Sequence, residues 1–450
     1  MKTTLAPTIH NPQSTIHKMD ATFDRLWPIC RSITGPGYRE SLDILSETMP
    51  MERHRFATGQ KVFDWTVPKE WLIRDAYLRD PQGKKRADFK VNNVHVVGYS
   101  APRRERMKLS ELKPHLHSLP ELPKAIPYLT SYYKESWGFC LSHEELLKLP
   151  DGEYEVFIDS ELKKGHVEIG EAVLPGDSKE EILFSSYLCH PSLANNELSG
   201  PLVLVFLYDK IRSMPRRRYT YRFALMPETI GSLCYLSVRG AHLKKNLVAG
   251  FQMNCLGGPS HLIYKKSRRG NSLADRATAI VLRDQGKHEI VDFDPSLGSD
   301  EQQYCSPGFN LPVGCLMRTM YGRYAEYHTS LDNKEFMTIA SLERALEAYE
   351  AIVRALEANR VWKNMSPYGE PQLGKRGLYP TLGSQKMLED GLRGLLWLLN
   401  LADCTQDLLA IAERSGQPIQ RLSETAEKLA SFGLLKEQQS KKSTGKRNEK

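Results

Sequence analysis

Between about Glu180 and Arg360 the chain alternates short β-rich apolar runs with segments of helical spacing, and this alternation constrains the fold more than any other feature. The β-rich runs are EEILFSSYLCH, RRYTYRFALMPE, NLVAGFQMNCLGG and FNLPVGCLMR. Segments such as SGPLVLVFLYDKIRS and TIGSLCYLSVRGAHLKK have the apolar spacing of helices. Parallel strands of one sheet need long crossover connections, which are usually helices. The alternation therefore predicts an α/β fold, with a mostly parallel sheet and helices on both faces.

A different pattern fills residues 62–159, which are rich in proline and aromatic residues and contain short alternating stretches such as VNNVHVVGYS and GEYEVFID. No clear long helix interrupts this pattern. It predicts a small β-rich domain inserted into the α/β domain. The α/β domain is then assigned to residues 19–61 and 160–365.

The sequence changes character again after the loop WKNMSPYGEPQLGKRGLYP. Three short segments with helical spacing follow, namely GLRGLLWLLNLAD, TQDLLAIAERSG and PIQRLSETAEKLASFGLLK. Their order predicts a separate winged-helix-like domain at residues 366–436. The third segment carries charges of both signs, which favours a packing or dimerising role over nucleic-acid binding; both roles stay open.

Charge and composition exclude several protein classes. The net charge is +8, but Lys436–Lys450 holds six Lys or Arg residues and two Glu residues, so half of the excess lies in a basic tail. We expect residues 1–18 and 437–450 to be disordered. No apolar run approaches the ~18 residues of a membrane span, and the first residues contain no apolar signal region, so we expect a cytoplasmic protein. The eight cysteines are scattered singly, as expected for reduced thiols.

Three side chains that could support metal chemistry follow predicted strands. His190 follows the first strand, Glu228 the second and His328 a later one. Because ligands of open α/β sheets collect at the carboxyl ends of the strands, we expect these residues to converge. Two histidines and a carboxylate suit zinc, and a further unbound glutamate suits general-base activation of water. Glu228 is the predicted base; the alternative is a carboxylate that only favours a helix N-terminus.

Four segments carry a resemblance to a known superfamily. HPSLANNELSG, PETIGS, GSDEQQY and YHTSLDN resemble, in that order, the metal-site segments of the zinc-dependent aminopeptidases. More closely, Thr22–Lys436 resembles a bacterial aminopeptidase-like family associated with polysaccharide biosynthesis, through RSITGPGYRE, WTVPKEW, PYLTSYYKESWGFC and GLYPTLG. The resemblance implies an aminopeptidase-type domain, an inserted β domain and a C-terminal winged-helix-like domain. It also implies that His190 and His328 bind metal and that Glu228 is the base.

The chain departs from the superfamily at three acidic ligands. Asn196 stands where an aspartate bridges two zinc ions, Thr229 where a glutamate binds, and Asn254 where an aspartate binds. Two divalent ions ~3.5–4 Å apart need bridging negative charge. We therefore expect one zinc ion rather than two. Glu197 is the predicted carboxylate ligand, with a surface carboxylate at a helix start as the alternative.

Other residues of these segments are expected to support the site. Asp300 is predicted to contact a ligand histidine, and Asn196, Arg323 and Tyr327 are predicted to line the pocket or support it. Together these features predict a zinc hydrolase of an amide or peptide bond in a small amine-bearing molecule or short peptide. The alternative, motivated by the lost carboxylates, is a catalytically inactive fold that acts as a binding or DNA-associated regulatory module. Self-association also stays open.

Overall fold

The structure is a computed structural model of the 450-residue chain, and it describes residues 12–378 and 390–438. The described residues fall into two compact units. The first contains residues 12–275 and 288–347, and the second contains residues 276–287, 348–378 and 390–438. None of the helices in these ranges combines the length and the apolar character that a bilayer crossing requires.

The secondary structure was assigned for the described ranges only. The helices are α1 (Pro12–Leu26), α2 (Pro36–Ser46), α3 (Leu109–Leu112), α4 (His143–Leu147), α5 (Ser199–Arg212), α6 (Ile230–Asn246), α7 (Leu273–Gln285), α8 (Glu301–Tyr304), α9 (Ile339–Ala358), α10 (Asp390–Leu401), α11 (Leu408–Ser415) and α12 (Ile419–Ser431). The strands are β1 (Glu52–Ala57), β2 (Lys61–Val62), β3 (Trp65–Thr66), β4 (Glu70–Arg79), β5 (Lys85–Asp88), β6 (Arg103–Lys108), β7 (Leu116–His117), β8 (Phe139–Cys140), β9 (Glu153–Lys163), β10 (His166–Leu174), β11 (Glu181–Tyr187), β12 (Thr220–Met226), β13 (Leu247–Met253), β14 (Leu262–Lys265), β15 (His288–Val291), β16 (Val313–Met317), β17 (Val361–Asn364), β18 (Asp403–Asp407) and β19 (Leu435–Gln438).

An eight-stranded sheet organises the first unit, in the order β1-β10-β12-β11-β13-β16-β14-β15. Its four central strands, β12, β11, β13 and β16, run parallel. Strand β10 is antiparallel to β12 on one side, and β14 is antiparallel to β16 on the other. The predicted α/β class is confirmed. Because antiparallel strands flank the parallel centre, the sheet is mixed.

The central strands are buried on both faces, which explains their continuous apolar sequences. Every residue of β11 is buried, and helix α5 is buried over most of its length. Gly200, in the first turn of α5, allows this helix to approach the sheet closely. An added Cβ there would lie 2.2 Å from the Met253 carbonyl oxygen and 2.4 Å from Ser186 Oγ. The glycine of the LSG sequence therefore has a packing role.

A second sheet lies within the region predicted to be an insertion. It has four antiparallel strands in the order β5-β4-β9-β6. Its own core includes Ala76, Leu78, Val156 and Ile158. Strand β9 continues to Lys163 and thus passes the predicted end of the insertion at residue 159.

The second unit contains a three-stranded antiparallel sheet, in the order β18-β17-β19, together with α10, α11 and α12. Three predicted boundaries differ from the structure. Strand β17 already pairs with β18 and β19, so the predicted start at residue 366 is too late. Residues 12–18, predicted to be disordered, form part of α1, and Glu437 and Gln438 belong to β19. Residues 1–11 and 439–450 lie outside the described ranges.

Asp407 stabilises the start of α11 by two kinds of contact. Its Oδ1 accepts a hydrogen bond of 2.8 Å from the Ala410 amide, and Arg276 donates to both carboxylate oxygens at 2.8 and 3.0 Å. Burial alone would raise the pKa of Asp407, but the bonds from Arg276 and from the Ala410 amide lower it.

We expect Asp407→Ala to reduce the free energy of unfolding of the winged-helix unit by about 1–3 kcal/mol, because a helix cap and an ion pair are lost together. Since the folded pKa is depressed, the contribution is complete above about pH 4 and disappears as the pH falls through the folded value. Urea unfolding at several pH values measures both effects. Glu427→Ala, on the exposed side of α12, is the control and should change little. Equal unfolding free energies for Asp407→Ala and wild type would contradict the stabilising role of Asp407.

Candidate metal centre and substrate pocket

The loop between β11 and α5 carries His190, and one carboxylate fastens it to the loop that carries His328. Asp332 Oδ1 accepts from the Asn195 amide at 2.6 Å, and Oδ2 accepts from the Asn196 amide at 2.8 Å. The Ala194 amide donates to the Asp332 carbonyl oxygen at 2.9 Å. We call these three bonds the Asp332 clamp. Sequence analysis assigned no role to Asp332, although it belongs to the HTSLDN segment.

His190 is buried, and its two ring nitrogens face different partners. Nδ1 lies 2.9 Å from Glu197 Oε2, whereas Nε2 lies 3.7 Å from Glu228 Oε2. Burial alone would lower the pKa of His190, but Cys189 and the Glu197 carboxylate raise it well above its ordinary value. A metal ion at Nε2 would replace the proton that this nitrogen carries in the imidazolium, while Nδ1–H continues to donate to Glu197.

Glu197, the predicted carboxylate ligand, lies between His190 and Arg31. Its Oε2 contacts His190, and its Oε1 lies 3.6 Å from Nε of Arg31, with both side chains fully buried. Arg31 comes from the connection between α1 and α2 and already balances the carboxylate charge. Glu197 therefore contacts the His190 ring, and its direct binding to a metal stays a prediction.

His328 has an unused nitrogen in a buried position. Its backbone has a positive φ of 56°, and Nε2 is buried without a hydrogen-bond partner. The ring stacks on Tyr327 with centroids 4.0 Å apart, and its centroid is 5.3 Å from that of His190. Burial, and then the charge of His190, lower the pKa of His328 to about 3. The two predicted histidines thus lie together, and His328 stays neutral.

Glu228 lies in a strained turn between β12 and α6. Its Oε1 accepts from Ser299 Oγ at 2.7 Å, which leaves Oε2 facing His190. The next residue, Thr229, has a φ of 60°, an unusual conformation for a β-branched residue. Burial raises the pKa of Glu228. Ser299 lies in the GSDEQQY segment, but no role was predicted for it from the sequence.

Asp300 supports this turn rather than a histidine. Its Oδ1 accepts from the Thr229 amide at 2.7 Å and from Ser232 Oγ at 2.9 Å. The prediction that Asp300 contacts a ligand histidine is therefore replaced by a role in holding the backbone next to Glu228. Burial, together with the nearby Glu228, raises the pKa of Asp300 well above its ordinary value.

The remaining predicted pocket residues have three different environments. Arg323 is 43% exposed and pairs with Glu289 at 2.8 Å, so it is a surface residue. Tyr327 packs on the His328 ring, as described above. Asn196 is buried, and its Oδ1 accepts from the Tyr187 hydroxyl at 3.1 Å, so it supports the loop without lining the pocket.

The donor set fits at most one metal ion. Asn196 Oδ1 is already bonded, and the Oδ1 of Asn254 accepts a contact of 3.5 Å from Cys315 Sγ. Neither amide supplies the negative charge that two neighbouring ions require. What fits one ion is the pair of imidazole nitrogens, Nε2 of His190 and Nε2 of His328, next to the Glu228 carboxylate. The unpaired, buried Nε2 of His328 is the observation that supports this assignment.

Among the described residues, two groups have ligand atoms all within 4.8 Å of one another, and neither is the set of His190, Glu228 and His328: these groups are Cys189 with His190 and Glu197, and Glu52 with His54 and Glu171. In the first, burial raises the pKa of the Cys189 thiol to about 11, and Arg31 neutralises the carboxylate. In the second, Arg222 and Arg239 already pair with Glu171. In both groups an arginine already pairs with a carboxylate.

A cavity of about 470 Å³ opens above these side chains. It is lined by Ile33, Trp65, Tyr128, Leu129, Thr130, Tyr132, Tyr133, Cys189, His190, Glu228, Thr229, Ile230 and His328. Six of these residues, from Trp65 to Tyr133, belong to the region predicted to be an insertion. The Tyr128 amide donates to the His328 carbonyl oxygen at 2.8 Å, which holds this region against the loop that carries His328.

Comparison with known proteins identifies the family. The sequence profile of a family described as "Domain of unknown function (DUF4910)" matches residues 20–359. The chain belongs to this family. A second profile, described as a winged helix-turn-helix, matches residues 360–437 of this DUF4910 protein, which agrees with the sheet and helices of the second unit.

Two relatives from Clostridium acetobutylicum are similar along most of their length. A "Putative polysaccharide biosynthesis protein with aminopeptidase-like domain" is 43% identical over 429 residues, which are 95% of this chain and 98% of the relative. A solved structure described as a putative peptidase is 42% identical, covers 96% of this chain and 98% of its own, and has a TM-score of 0.89.

A more distant structure places the fold among the aminopeptidases. A zinc aminopeptidase from Bacillus subtilis is 14% identical, with a TM-score of 0.54, over 76% of this chain and 94% of its own. The predicted aminopeptidase-like architecture with a C-terminal winged helix is confirmed. At this identity the likeness concerns the fold.

Proposed function

We propose that the pocket binds one zinc ion and hydrolyses an amide or peptide bond in a small amine-bearing molecule. One observation carries the proposal. His190, Glu228 and His328 line one cavity, His190 Nε2 lies 3.7 Å from Glu228 Oε2, and the Nε2 of His328 is buried and unpaired. The aminopeptidase-like fold and the names of the relatives support the same class of reaction.

Each side chain has a distinct role in this proposal. His190 and His328 would hold the ion, which supplies Lewis acidity toward a carbonyl and lowers the pKa of a water molecule. Glu228 accepts the proton of the attacking water and passes it to the departing amine nitrogen as the C–N bond breaks. The products are a carboxylate and an amine. Ser299 fixes one oxygen of Glu228, and Glu197 fixes the ring of His190.

The charge at the cavity agrees with an amine-bearing substrate. Glu228 is the one carboxylate among the lining residues, and the other walls are mostly aromatic or aliphatic. An ammonium group of the substrate would be attracted to this carboxylate in a site of low dielectric.

Zinc content is the direct test. After loading and dialysis, we expect about one zinc ion per chain in the wild type by mass spectrometry, and a large loss in His190→Ala and His328→Ala. His261→Ala removes a partly exposed histidine of the same unit that lies outside the pocket and should keep the wild-type content. Chelation should abolish amide hydrolysis and zinc should restore it. A wild-type protein that takes up no zinc would show the proposal to be wrong.

A second candidate is a protein that binds the same kind of molecule without hydrolysing it. Among the described residues, His190, Glu228 and His328 are not a group with ligand atoms all within 4.8 Å, and three acidic ligands are replaced. Ligand binding without zinc uptake would support this candidate. A DNA-associated regulatory role is not favoured by the mixed charge of α12, whose exposed side chains include Glu424, Glu427 and Lys428.

A further inference from the structure

Large apolar side chains form one wall of the cavity. We define the aromatic wall as Trp65, Leu129, Tyr132 and Tyr133, all of which line the pocket. Trp65, Leu129 and Tyr133 remain 39%, 39% and 53% exposed. The rings of Trp65 and Tyr133 meet edge to face, with centroids 5.4 Å apart. Exposed apolar groups gathered around a cavity commonly mark a binding surface.

The hairpin β2–β3 holds Trp65 in place. Val62 is fully buried and pairs with Trp65, and Phe63 between them has a positive φ of 55°. The Phe63 ring meets the edge of Phe309, with centroids 5.7 Å apart. The burial of Val62 and the contact between Phe63 and Phe309 hold the hairpin in place. Trp65 therefore has a defined position in the absence of a ligand.

A pair of tyrosines connects the aromatic wall to the two histidines. The Tyr132 and Tyr128 hydroxyls are hydrogen-bonded at 2.8 Å. The Tyr128 ring lies next to both imidazoles, with centroids 5.1 Å from His190 and 5.4 Å from His328. A group that rests on the wall is therefore held beside the side chains assigned to amide chemistry.

The side chains of the aromatic wall indicate which kind of chemical group it binds. None of its four residues carries a charge, and three of them present flat ring surfaces. Aromatic rings associate with other rings in stacked or edge-to-face geometry and with the C–H groups of flat rings. An anionic group there would lose hydration without gaining a partner.

We propose that the aromatic wall binds an uncharged ring with an apolar face, attached to the amide of the substrate, and that Trp65 and Tyr133 determine this specificity. The shared chemistry is a ring with an apolar face, supplied by either an aromatic amino acid or a sugar. The inference rests on the proposed function for the role of the amide, but ring binding can be measured without turnover.

The test compares three probes by ligand-observed NMR titration of the purified protein. L-Phenylalaninamide has an aromatic ring, N-acetylglucosamine has a sugar ring beside an amide, and L-alaninamide has no ring. We expect at least one ring-bearing probe to bind about tenfold more tightly than L-alaninamide. The preferred probe identifies the source of the ring. Ammonia release from the amino-acid amides is followed separately, so a failure of hydrolysis is distinguishable from a failure of ring binding.

Substitutions in the aromatic wall test whether its side chains cause the preference for ring-bearing probes. Trp65→Ala and Tyr133→Ala should each reduce the preference to about two- to threefold, whereas Trp65→Phe should largely keep it. Leu147→Ala, a 74% exposed apolar residue of the same region, is the matched control and should have no effect. Equal affinities for all three probes, no binding of any probe, or a preference that survives both alanine variants would overturn the proposal. Circular dichroism verifies folding, and Tyr133→Ala alone decides if Trp65→Ala is unfolded.

Discussion

We expect Glu228→Gln to lower the proposed hydrolysis of an amino-acid amide by about 10²–10⁴-fold, the range that a lost general base costs, while the zinc content stays near the wild-type level. The substitution keeps the size of the side chain and its contact with Ser299 but removes the group that accepts a proton. The rate is measured as ammonia release under saturating substrate, and the zinc content by mass spectrometry on the same sample.

The hydrolysis rate and the zinc content together distinguish a general base from a metal ligand at Glu228. If Glu228→Gln loses zinc together with activity, Glu228 is a metal ligand and the base must be sought elsewhere. If the variant keeps full activity, the proposed mechanism is wrong. Glu289→Gln is the matched control, because Glu289 pairs with Arg323 at the surface of the same unit and should affect neither measurement.

Glu171→Gln should destabilise the first unit by about 3–5 kcal/mol, the cost of removing one partner from a buried ionic network. Glu171 lies on β10 with 3% of its surface exposed. It accepts from Arg222 at 2.6 Å, from the Tyr235 hydroxyl at 2.7 Å and from Arg239 at 2.6 Å. The substitution leaves buried positive charge without its partner, and chemical denaturation measures the loss.

The same carboxylate predicts a dependence on pH. Burial alone would raise the pKa of Glu171, but bonds from Arg239 and Tyr235 and the charge of Arg222 lower it to about 2. Because the folded value is depressed, its stabilisation is complete above about pH 4.3 and disappears as the pH falls toward 2. This part of the acid dependence should be absent in Glu171→Gln. Glu52→Gln, an exposed neighbour on β1, should stay close to wild type, and a similar result for Glu171→Gln would refute the network's importance.

The order of strands and helices could be predicted because the central strands are buried on both faces and their sequences are continuously apolar. The meeting of His190, Glu228 and His328 followed from the same reasoning, since parallel strands present their carboxyl ends at one edge. Strands β10, β14 and β15 are charged or short and lack a continuously apolar sequence. Their pairing depends on partners distant in sequence, so they were not anticipated.

The directions of individual side chains could not be predicted in the same way. Spacing placed Glu197 near His190, but it did not reveal that Arg31, from the connection between α1 and α2, lies 3.6 Å from the same carboxylate. Asp300 and Arg323 were assigned from their position next to matching motifs, and the structure gives them backbone and surface partners instead. Long-range contacts of the inserted region likewise decided which aromatic residues reach the pocket.

The Asp332 clamp gives the site an architecture that does not depend on the ion. In a centre held together only by its metal, removal of the ion releases the loops that carry the ligands. Here three backbone amides and one aspartate fix the spacing of the two loops. The empty and loaded forms should therefore share one loop conformation, and exchange of the ion would require no rebuilding of the surrounding chain.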